Sequence, residues 1–394
     1  MVQLTEPLFS VDDHIVEPAH VYTERVSAKY RDRAPRMIKG SDSVSWEFDG
    51  QPVPPSGFGL ESAVGRDPNK WRFDPAFSLD DMREGCFDAK ARLADMDEDG
   101  VACQVLFPSA MARFVGARFS LHEDKELGLA CLQAYNDYML EEWHGAAPDR
   151  YLPVMILPLW DAHLAAAEVY RTVEKGAKTI SWSEGPHLMG FPVVDHHSWD
   201  PLFAAITDTG VVMSTHIGSS AQSPYNSGPG LPMAAFTTLV GLGGIIGATE
   251  LMFSSVFQRW PELQVAVSEG GIGWVPYILE RADYVFERHP TWTGIASDAP
   301  RPSEIFKRNI NVCFIEDRAG ILQRDQIGVD KIMWEGDYPH TDSSWPNSRQ
   351  ILGRVLEGCS PDEVAAITHG NAERVYRHTI PAELAARLVA TTVT

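Results

Sequence analysis

The sequence has few cysteines, and no pairing pattern relates them. Its five cysteines are scattered through 394 residues without a C-x-x-C pair, which indicates reduced thiols in a cytoplasm rather than a disulfide framework. The first residues contain neither the basic stretch nor the long apolar run of a signal peptide. We therefore expect a cytoplasmic protein.

Positive charge is also scarce. Lys and Arg together number 33 against 54 Asp and Glu, a formal charge of −21. So acidic a surface repels nucleic acid and anionic membrane, and we expect neither as a partner. The uncharged stretch 231–249 contains Pro232 and ends directly at Glu250, which favours a barrel helix over a membrane span. The expected partner is a small-molecule substrate.

What the sequence does contain is a repeated alternation of short apolar runs with longer helical patterns. Eight strands in turn, each followed by a helix, are typical of a parallel sheet closed into a (β/α)8 TIM barrel, with an open doubly wound sheet as the alternative. We expect one domain over residues 1–380 and a weakly tethered tail over 381–394. The predicted strands are Leu8–His14, Ala102–Phe107, Leu152–Leu159, Ala177–Ser183, Val211–Ile217, Gln264–Glu269, Ile310–Ile315 and Lys331–Asp337.

An insertion at residues 36–80 follows the first predicted strand. Val44, Trp46 and Phe48 alternate there with polar residues and are followed by Asp49-Gly50, a hairpin turn signal. We interpret the insertion as a flap over the mouth of the barrel. Its aromatic residues, Trp46 and Trp71 among them, either line a substrate pocket, which we favour, or only pack the insertion.

Ionisable residues end several of the predicted strands. Strand one ends in Asp12, His14 and Glu17, strand five in His216, strand six in Glu269, and strand eight in Asp337 and His340. Because active sites of such barrels form at the carboxyl ends of the strands, these side chains should converge. Imidazole together with carboxylate suits a divalent transition metal such as Zn, Fe or Mn.

These motifs resemble the amidohydrolase superfamily, and within it the amidohydrolase 2 branch that includes aminocarboxymuconate-semialdehyde decarboxylase. The resemblance rests on Asp12-x-His14, Thr215-His216, Ser268-Glu269-Gly270-Gly271 and Asp337-Tyr338-Pro339-His340. In that branch strand one carries His-x-His, strand five a histidine and strand eight an aspartate. The resemblance therefore implies His14, His216 and Asp337 as metal ligands.

Two departures from the branch set the functional hypothesis. Val16 stands where the second histidine of strand one falls, so Glu17 is the nearest replacement ligand. Glu269 stands where decarboxylase relatives place an acid/base histidine, which argues against their mechanism. Three carboxylates, those of Glu17, Glu269 and Asp337, carry enough charge for two divalent cations, and oxygen-rich ligation favours Fe and Mn over Zn.

Such a carboxylate-rich set resembles the non-heme dimetal oxygenase subset of the fold, the platensimycin-pathway diterpenoid hydroxylase type. The resemblance implies a monooxygenase that hydroxylates a C–H bond of a small organic or natural-product substrate, using O2 and two Fe or Mn/Fe ions. The metals would be held by His14, Glu17, His216, Glu269 and Asp337. The alternative is a single-metal hydrolase, with Zn, or a decarboxylase, in which Glu269 is the general base and Asp337 a ligand or proton shuttle.

A second alternative is a non-catalytic partner subunit, because related barrels form hetero-oligomers; we expect a homo- or hetero-oligomer in any case. Five further residues complete the expected site. His196 would be an additional ligand, or only a surface histidine. Asp12 would support the ligands from behind, and His340 would touch substrate or a metal-bound oxygen. Arg113 and Arg118 would clamp a substrate carboxylate, although solvated arginines are the alternative.

Overall fold

A computed structural model describes residues 2–39, 44–53, 61–67, 82–220, 230–296 and 298–391. Eight of its strands form one parallel sheet in the order β1-β5-β6-β7-β8-β9-β10-β11. Two backbone hydrogen bonds, from His14 N to Tyr338 O (2.6 Å) and from Asp337 N to Asp12 O (2.9 Å), join the two ends of the sheet. The sheet is thus a nearly closed barrel, and the predicted (β/α)8 architecture is confirmed. The strands are β1 Leu8–Ile15, β2 Arg36–Lys39, β3 Val44–Phe48, β4 Gln51–Pro52, β5 Val101–Pro108, β6 Tyr151–Met155, β7 Thr179–Ser183, β8 Val212–His216, β9 Val265–Ser268, β10 Ile310–Phe314 and β11 Ile332–Trp334.

Helices connect the barrel strands, and their starts carry the expected capping residues. Asp88, Asp124 and Asp161 each accept hydrogen bonds from backbone amides of the first turn of a helix. Short 3-10 or π segments occupy Glu84–Cys86, Met139–His144, Pro186–Met189, His197–Trp199, Val329–Lys331 and Ala366–Gly370. The α-helices are α1 His20–Thr23, α2 Ala89–Asp99, α3 Ala117–Ser120, α4 Lys125–Tyr138, α5 Ala162–Val173, α6 Asp200–Thr209, α7 Met233–Leu239, α8 Leu242–Phe253, α9 Val256–Arg259, α10 Val275–Arg288, α11 Pro302–Asn309, α12 Arg318–Leu322, α13 Arg324–Ile327, α14 Ser348–Val355, α15 Pro361–Ala365, α16 Asn371–Tyr376 and α17 Ala382–Thr391.

Two hydrophobic cores hold this arrangement. The larger core packs the helices against the outside of the barrel, and the smaller one fills the barrel interior, where Phe9, Val105 and Phe107 are fully buried. Because each barrel strand is covered on both faces, its residues are buried along the whole strand. This continuous burial explains why the strands read as apolar runs in the sequence.

The insertion after β1 contains a small antiparallel sheet of order β2-β3-β4. Asp49 and Gly50 make its hairpin turn with positive φ angles of 51° and 72°, which a two-residue turn between β3 and β4 requires. Phe48 packs on Phe119 and His122, whose segments follow β5. Residues 40–43, 54–60 and 68–80 of the insertion, Trp71 included, lie outside the described residues.

The C-terminal segment differs from the expected loose tail. Its residues form α17, and Leu388 is buried in the barrel-interior core. Arg387 of the same helix pairs with Asp97 of α2 at 2.5 Å. These contacts tie the segment to the barrel, since an amphipathic helix gains stability by burying its apolar face.

One described stretch, Met233–Phe253, is long and apolar enough to cross a membrane by length and composition. Only 33% of that window is buried. The chain turns within it, so that α7 and α8 are separate helices, and α8 packs against β9 and α11. Such packing is that of a barrel helix.

Candidate metal centre

Three ligand-type side chains meet at the carboxyl ends of β1 and β8. His14 Nε2 and His216 Nε2 lie 3.1 Å apart, and Asp12 places Oδ1 3.3 Å from the first nitrogen and Oδ2 3.3 Å from the second. Asp12 and His14 share a strand side because successive side chains of a strand alternate between faces. Bonds of 2.0–2.1 Å to one tetrahedral ion separate ligand atoms by about 3.3 Å. The ligand atoms of these three side chains, called the triangle below, therefore have the spacing found around one metal ion.

Asp337 and Glu269 enter the same cluster from the segments after β11 and β9. Asp337 Oδ1 lies 3.6 Å from His14 Nε2, and Glu269 Oε2 lies 3.6 Å from His216 Nε2. Both acidic residues have a left-handed backbone, with φ of 51° and 53° respectively. Non-glycine residues rarely take this conformation, and strain of this kind is characteristic of functional sites.

His340 lies across the mouth of the cluster. Its ring stacks on that of His14 at a centroid distance of 3.9 Å, and its Nδ1 lies 2.8 Å from Asp337 Oδ1. The other ring nitrogen, Nε2, is 3.3 Å from Ser109 Oγ. Burial alone would lower the pKa of His340, but the carboxylates of Asp337 and Glu269 raise it to about 10. This histidine can therefore hold a proton beside the cluster.

The pKa values of the two histidines of the triangle shift in the opposite direction. Burial lowers the pKa of both His14 and His216, so both imidazoles are neutral. The carbonyl oxygen of Ile217 lies 2.6 Å from His216 Nδ1, which fixes the proton on that nitrogen. His216 Nε2 then presents a lone pair to the cluster, as a metal ligand must.

The buried carboxylates fit a cation. Both oxygens of Asp12, and Oδ2 of Asp337, are buried without a hydrogen-bond partner in the described part of the chain. Burial, reinforced by the neighbouring carboxylates, raises the pKa of Asp12 and of Asp337 well above the usual range. Uncompensated buried charge is costly, and a divalent ion would offset it. The structure thus contains a possible metal site in two groups that share His14: Asp12, His14 and His216, and His14, Glu269, Asp337 and His340.

Glu17 does not join this cluster, contrary to the expectation that it replaces a missing histidine. Its carboxylate accepts hydrogen bonds from the backbone amides of Ala110 (3.0 Å), Met111 (3.2 Å) and Ala112 (2.9 Å). Since Glu17 lies two residues beyond the end of β1, its side chain reaches the loop after β5 instead of the barrel mouth. It anchors that loop, and Asp12 takes the place next to His14.

Three other predicted residues also lie away from the cluster. His196 is exposed and accepts a hydrogen bond from Ser198 N at the start of a 3-10 turn. Arg118 donates to Met111 O at 2.9 Å and lines a cavity of about 500 Å³ beside the flap sheet. Trp46 is buried against Tyr22, so it packs the flap on α1.

Arg113, in contrast, lies at the mouth of the site. It follows β5 with a positive φ of 61°, and its guanidinium lies over the ring of Phe114 at 5.0 Å. Phe114 itself packs on His216 at a ring distance of 4.0 Å. The loop after β5 therefore brings an arginine and an aromatic ring to the metal ligands.

Three residues of the site were absent from the sequence-based set. Glu335 is fully buried, accepts a hydrogen bond from Glu269 N at 3.1 Å, and leaves its second oxygen unpartnered among described residues. Its position two residues before Asp337 was the available signal. Ser109, directly after β5, could have been found as a polar strand end. Phe114 carried no signal, because a lone aromatic residue in a loop has no periodic context.

Comparison with characterised proteins identifies decarboxylases as relatives. The chain is 26% identical over 269 residues to the decarboxylase orsB of Emericella nidulans, a match covering 63% of this chain and 76% of the relative. It is 22% identical over 284 residues to 2-amino-3-carboxymuconate-6-semialdehyde decarboxylase of Dictyostelium discoideum, with 70% and 72% covered. All four curated relatives found are decarboxylases.

Solved structures share the fold. An amidohydrolase from Mycobacterium avium subsp. paratuberculosis superimposes with a TM-score of 0.71 at 22% identity, covering 95% of this chain and all of the other. The 5-carboxyvanillate decarboxylase of Sphingomonas paucimobilis gives 0.65 at 21% identity, with 95% and 99% covered. A dihydroxybenzoic acid decarboxylase from Polaromonas sp. JS666, solved with manganese and 2-nitroresorcinol, gives 0.63 at 17% identity, with 96% and 99% covered.

The expectation of a dinuclear monooxygenase is therefore wrong. It rested on counting Glu17 among the ligands and on the missing histidine at Glu269, yet Glu17 binds backbone amides and the relatives are decarboxylases. The prediction of an oxidoreductase is wrong for the same reason, and the use of O2 has no support among the relatives.

The family itself is shown by the match to its sequence model. The model described as amidohydrolase covers residues 19–378, most of the barrel. The match includes β5 to β11 with His216 and Asp337, whereas Asp12 and His14 on β1 precede it. The chain belongs to the amidohydrolase family, in the amidohydrolase 2 branch.

Proposed function

We propose that this enzyme removes the carboxylate of a small unsaturated or aromatic acid as CO2, without an oxidant, at one divalent metal ion. The observation that carries the proposal is the triangle of Asp12, His14 and His216, whose neighbouring ligand atoms lie 3.1 to 3.3 Å apart. The relatives supply the reaction class. The two ligand groups share His14, which supports one ion rather than two.

Asp12, His14, His216 and Asp337 would hold the ion. Oxygen-rich ligation favours manganese over zinc, and structural neighbours contain manganese. When bound, such an ion supplies a Lewis acid that polarises oxygen atoms of the substrate. The mixed set of two imidazoles and two carboxylates leaves Glu269, whose side chain is 16% exposed, free at the mouth.

The reaction needs one proton from the protein. The C–C bond to the carboxylate breaks, its electron pair stays on the substrate carbon, and that carbon takes a proton as CO2 leaves. We assign the proton to His340 Nε2, which Ser109 orients, while Asp337 contacts the opposite nitrogen. Glu269 lies 3.8 Å from His340 Nδ1 and favours the protonated ring electrostatically. No water and no redox partner is consumed.

The proposal is tested by offering the manganese-loaded protein two acids on which structural neighbours act, 2,6-dihydroxybenzoate and 5-carboxyvanillate. We expect CO2 release and, in D2O, one deuterium at the carbon that lost the carboxylate. His340→Gln should lower the turnover by about 100-fold, the typical share of general acid catalysis. His196→Gln, which alters an exposed histidine, is the matched control and should keep the turnover. An oxygenated or hydrolysed product, or no CO2 from either acid, would contradict the proposal.

The remaining expectations stay predictions. These are cytoplasmic localisation, assembly into a homo- or hetero-oligomer, and the absence of nucleic-acid and membrane partners. The strongly acidic charge of −21 supports the last of them.

A further inference from the structure

An ion pair lies at the mouth of the metal cluster, between the loop after β5 and the flap. Arg113 Nη1 and Glu61 Oε1 are 3.1 Å apart. The arginine side chain is 30% exposed, whereas that of Glu61 is only 11% exposed. The pair therefore has one partner open to an incoming molecule and one held inside.

Glu61 is poorly satisfied where it lies. Its second oxygen, Oε2, is buried and has no hydrogen-bond partner among the described residues. Burial raises the pKa of Glu61, although Arg113 opposes that rise. A buried carboxylate with one free oxygen costs free energy, so packing alone does not account for it.

The pair is fixed close to the reacting groups. The backbone amides of Ala63 and Val64 donate to Pro339 O at 2.8 and 3.2 Å, which clips the Glu61 segment beside His340. On the other side Phe114 lies between Arg113 and His216. Arg113 is thus separated from the metal ligand His216 by one aromatic ring, and we expect the far end of a bound acid to meet its guanidinium.

Arg113 does not suit the carboxylate that departs. That group loses its charge as CO2 forms, and an ion pair that stabilises it before the reaction would raise the barrier. An acidic group that stays on the product keeps its charge throughout. Binding such a group positions the substrate without opposing the reaction.

We propose that Glu61 is an internal stand-in for a second acidic group of the substrate, and that this retained group displaces Glu61 from Arg113. The inference rests on the proposed decarboxylation and specifies its substrate as an acid with two anionic groups. As far as the described residues go, releasing Glu61 gives up a single ion pair, because Oε2 has no partner among them to lose. A monoacid leaves the Glu61–Arg113 pair in place.

The test is a binding measurement on the manganese-loaded protein, by titration calorimetry. The probes are 5-carboxyvanillate, which has two carboxylates, and 2,6-dihydroxybenzoate, which has one. Glu61→Gln removes the competing charge, and we expect about 10-fold tighter binding of the diacid, the gain of one charge-assisted contact, with about 2-fold or less for the monoacid. Glu61→Asp, which keeps the charge, should remain close to the wild type.

A double-mutant cycle assigns the gain to the pair. In an Arg113→Gln background, the substitution Glu61→Gln should no longer tighten diacid binding. Equal tightening of both probes, no tightening, persistence of the gain without Arg113, or no binding of either probe would overturn the inference. All binding is measured in a His340→Gln background, in which we expect turnover about 100-fold lower, so that the heat of binding is separated from that of decarboxylation. A diacid preference in a protein that releases no CO2 would therefore contradict only the proposed function.

Discussion

His14 and His216 are separated by 202 positions in the chain, yet their Nε2 atoms lie 3.1 Å apart. Since the His216 proton resides on Nδ1, a lone pair of His216 points at the other ring. Neutral imidazoles do not hold this arrangement by themselves, and Asp12 adds negative charge to the same point. A cation bound between the three side chains accounts for the geometry.

Replacing one imidazole should remove the ion. His216→Ala deletes one ligand and one edge of the triangle, so we expect metal content below about one tenth of the wild type after dialysis, in line with ligand-set energetics. Elemental analysis of the dialysed protein measures it. Full metal content in this variant would show that His216 is not a ligand.

Glu17 offers the complementary test, because sequence and structure assign it differently. Glu17→Gln keeps the shape but replaces one acceptor oxygen by an amide, which leaves a backbone amide of residues 110–112 unpaired. We expect a loss of about 1–3 kcal/mol in the free energy of unfolding, with the metal stoichiometry unchanged. Urea denaturation and elemental analysis give the two values. Loss of metal with intact stability would restore Glu17 as a ligand.

Arg92 connects β1, the strand that carries Asp12 and His14, to the rest of the barrel. Fully buried, it donates to Gly85 O and His14 O at 2.6 Å each and to Gln104 at 3.1 Å. Arg92→Met leaves these buried acceptors without a hydrogen-bond donor. We therefore expect a loss of about 3–5 kcal/mol in the free energy of unfolding.

Arg387→Met is the matched control for that experiment. Its pair with Asp97 is exposed, so its removal should cost less than about 1 kcal/mol. Similar losses in the two variants by urea denaturation would contradict the structural role of Arg92.

The pH dependence of stability should report on Asp99, a buried carboxyl outside the metal cluster. Burial raises its pKa to about 7, although Ser348 donates to it through its backbone amide. The folded state therefore binds the proton more tightly than the unfolded chain, where the pKa is near 3.9. Its contribution is complete below about pH 4 and is lost as the pH rises through 7.

Asp99→Asn mimics the protonated form at every pH. Between pH 5 and pH 8 the wild type should accordingly lose more unfolding free energy than this variant, with manganese held in constant excess. Urea denaturation at the two pH values measures both losses. Parallel losses would show that Asp99 does not titrate in this range.

The barrel could be predicted because its strands are buried on both faces and therefore read as short apolar runs in the sequence. All eight predicted strands are present, and the hairpin at Asp49-Gly50 forms as its turn signal indicates. The C-terminal helix was not predicted. Its Leu388 is buried in the smaller core together with strand residues distant in the chain, a contact that local sequence does not contain.

The site residues could be predicted only where the alternation of side chains along a strand determines which face they lie on. His14, His216 and Asp337 meet as their strand ends imply. The choice between Asp12 and Glu17 depended on where β1 ends, since beyond Ile15 the alternation of side chains no longer holds. The role of Glu61 could not be predicted, because its position at the mouth is set by hydrogen bonds from the flap to the loop after β11.

Metal stoichiometry tests the central claim, a single-ion centre, most directly. Protein purified without chelator and reconstituted with manganese is dialysed and measured by elemental analysis against protein concentration. One ion per chain is the predicted result, because the two ligand groups share His14. Two ions per chain, or no retained ion at all, would contradict the centre described for Asp12, His14, His216 and Asp337.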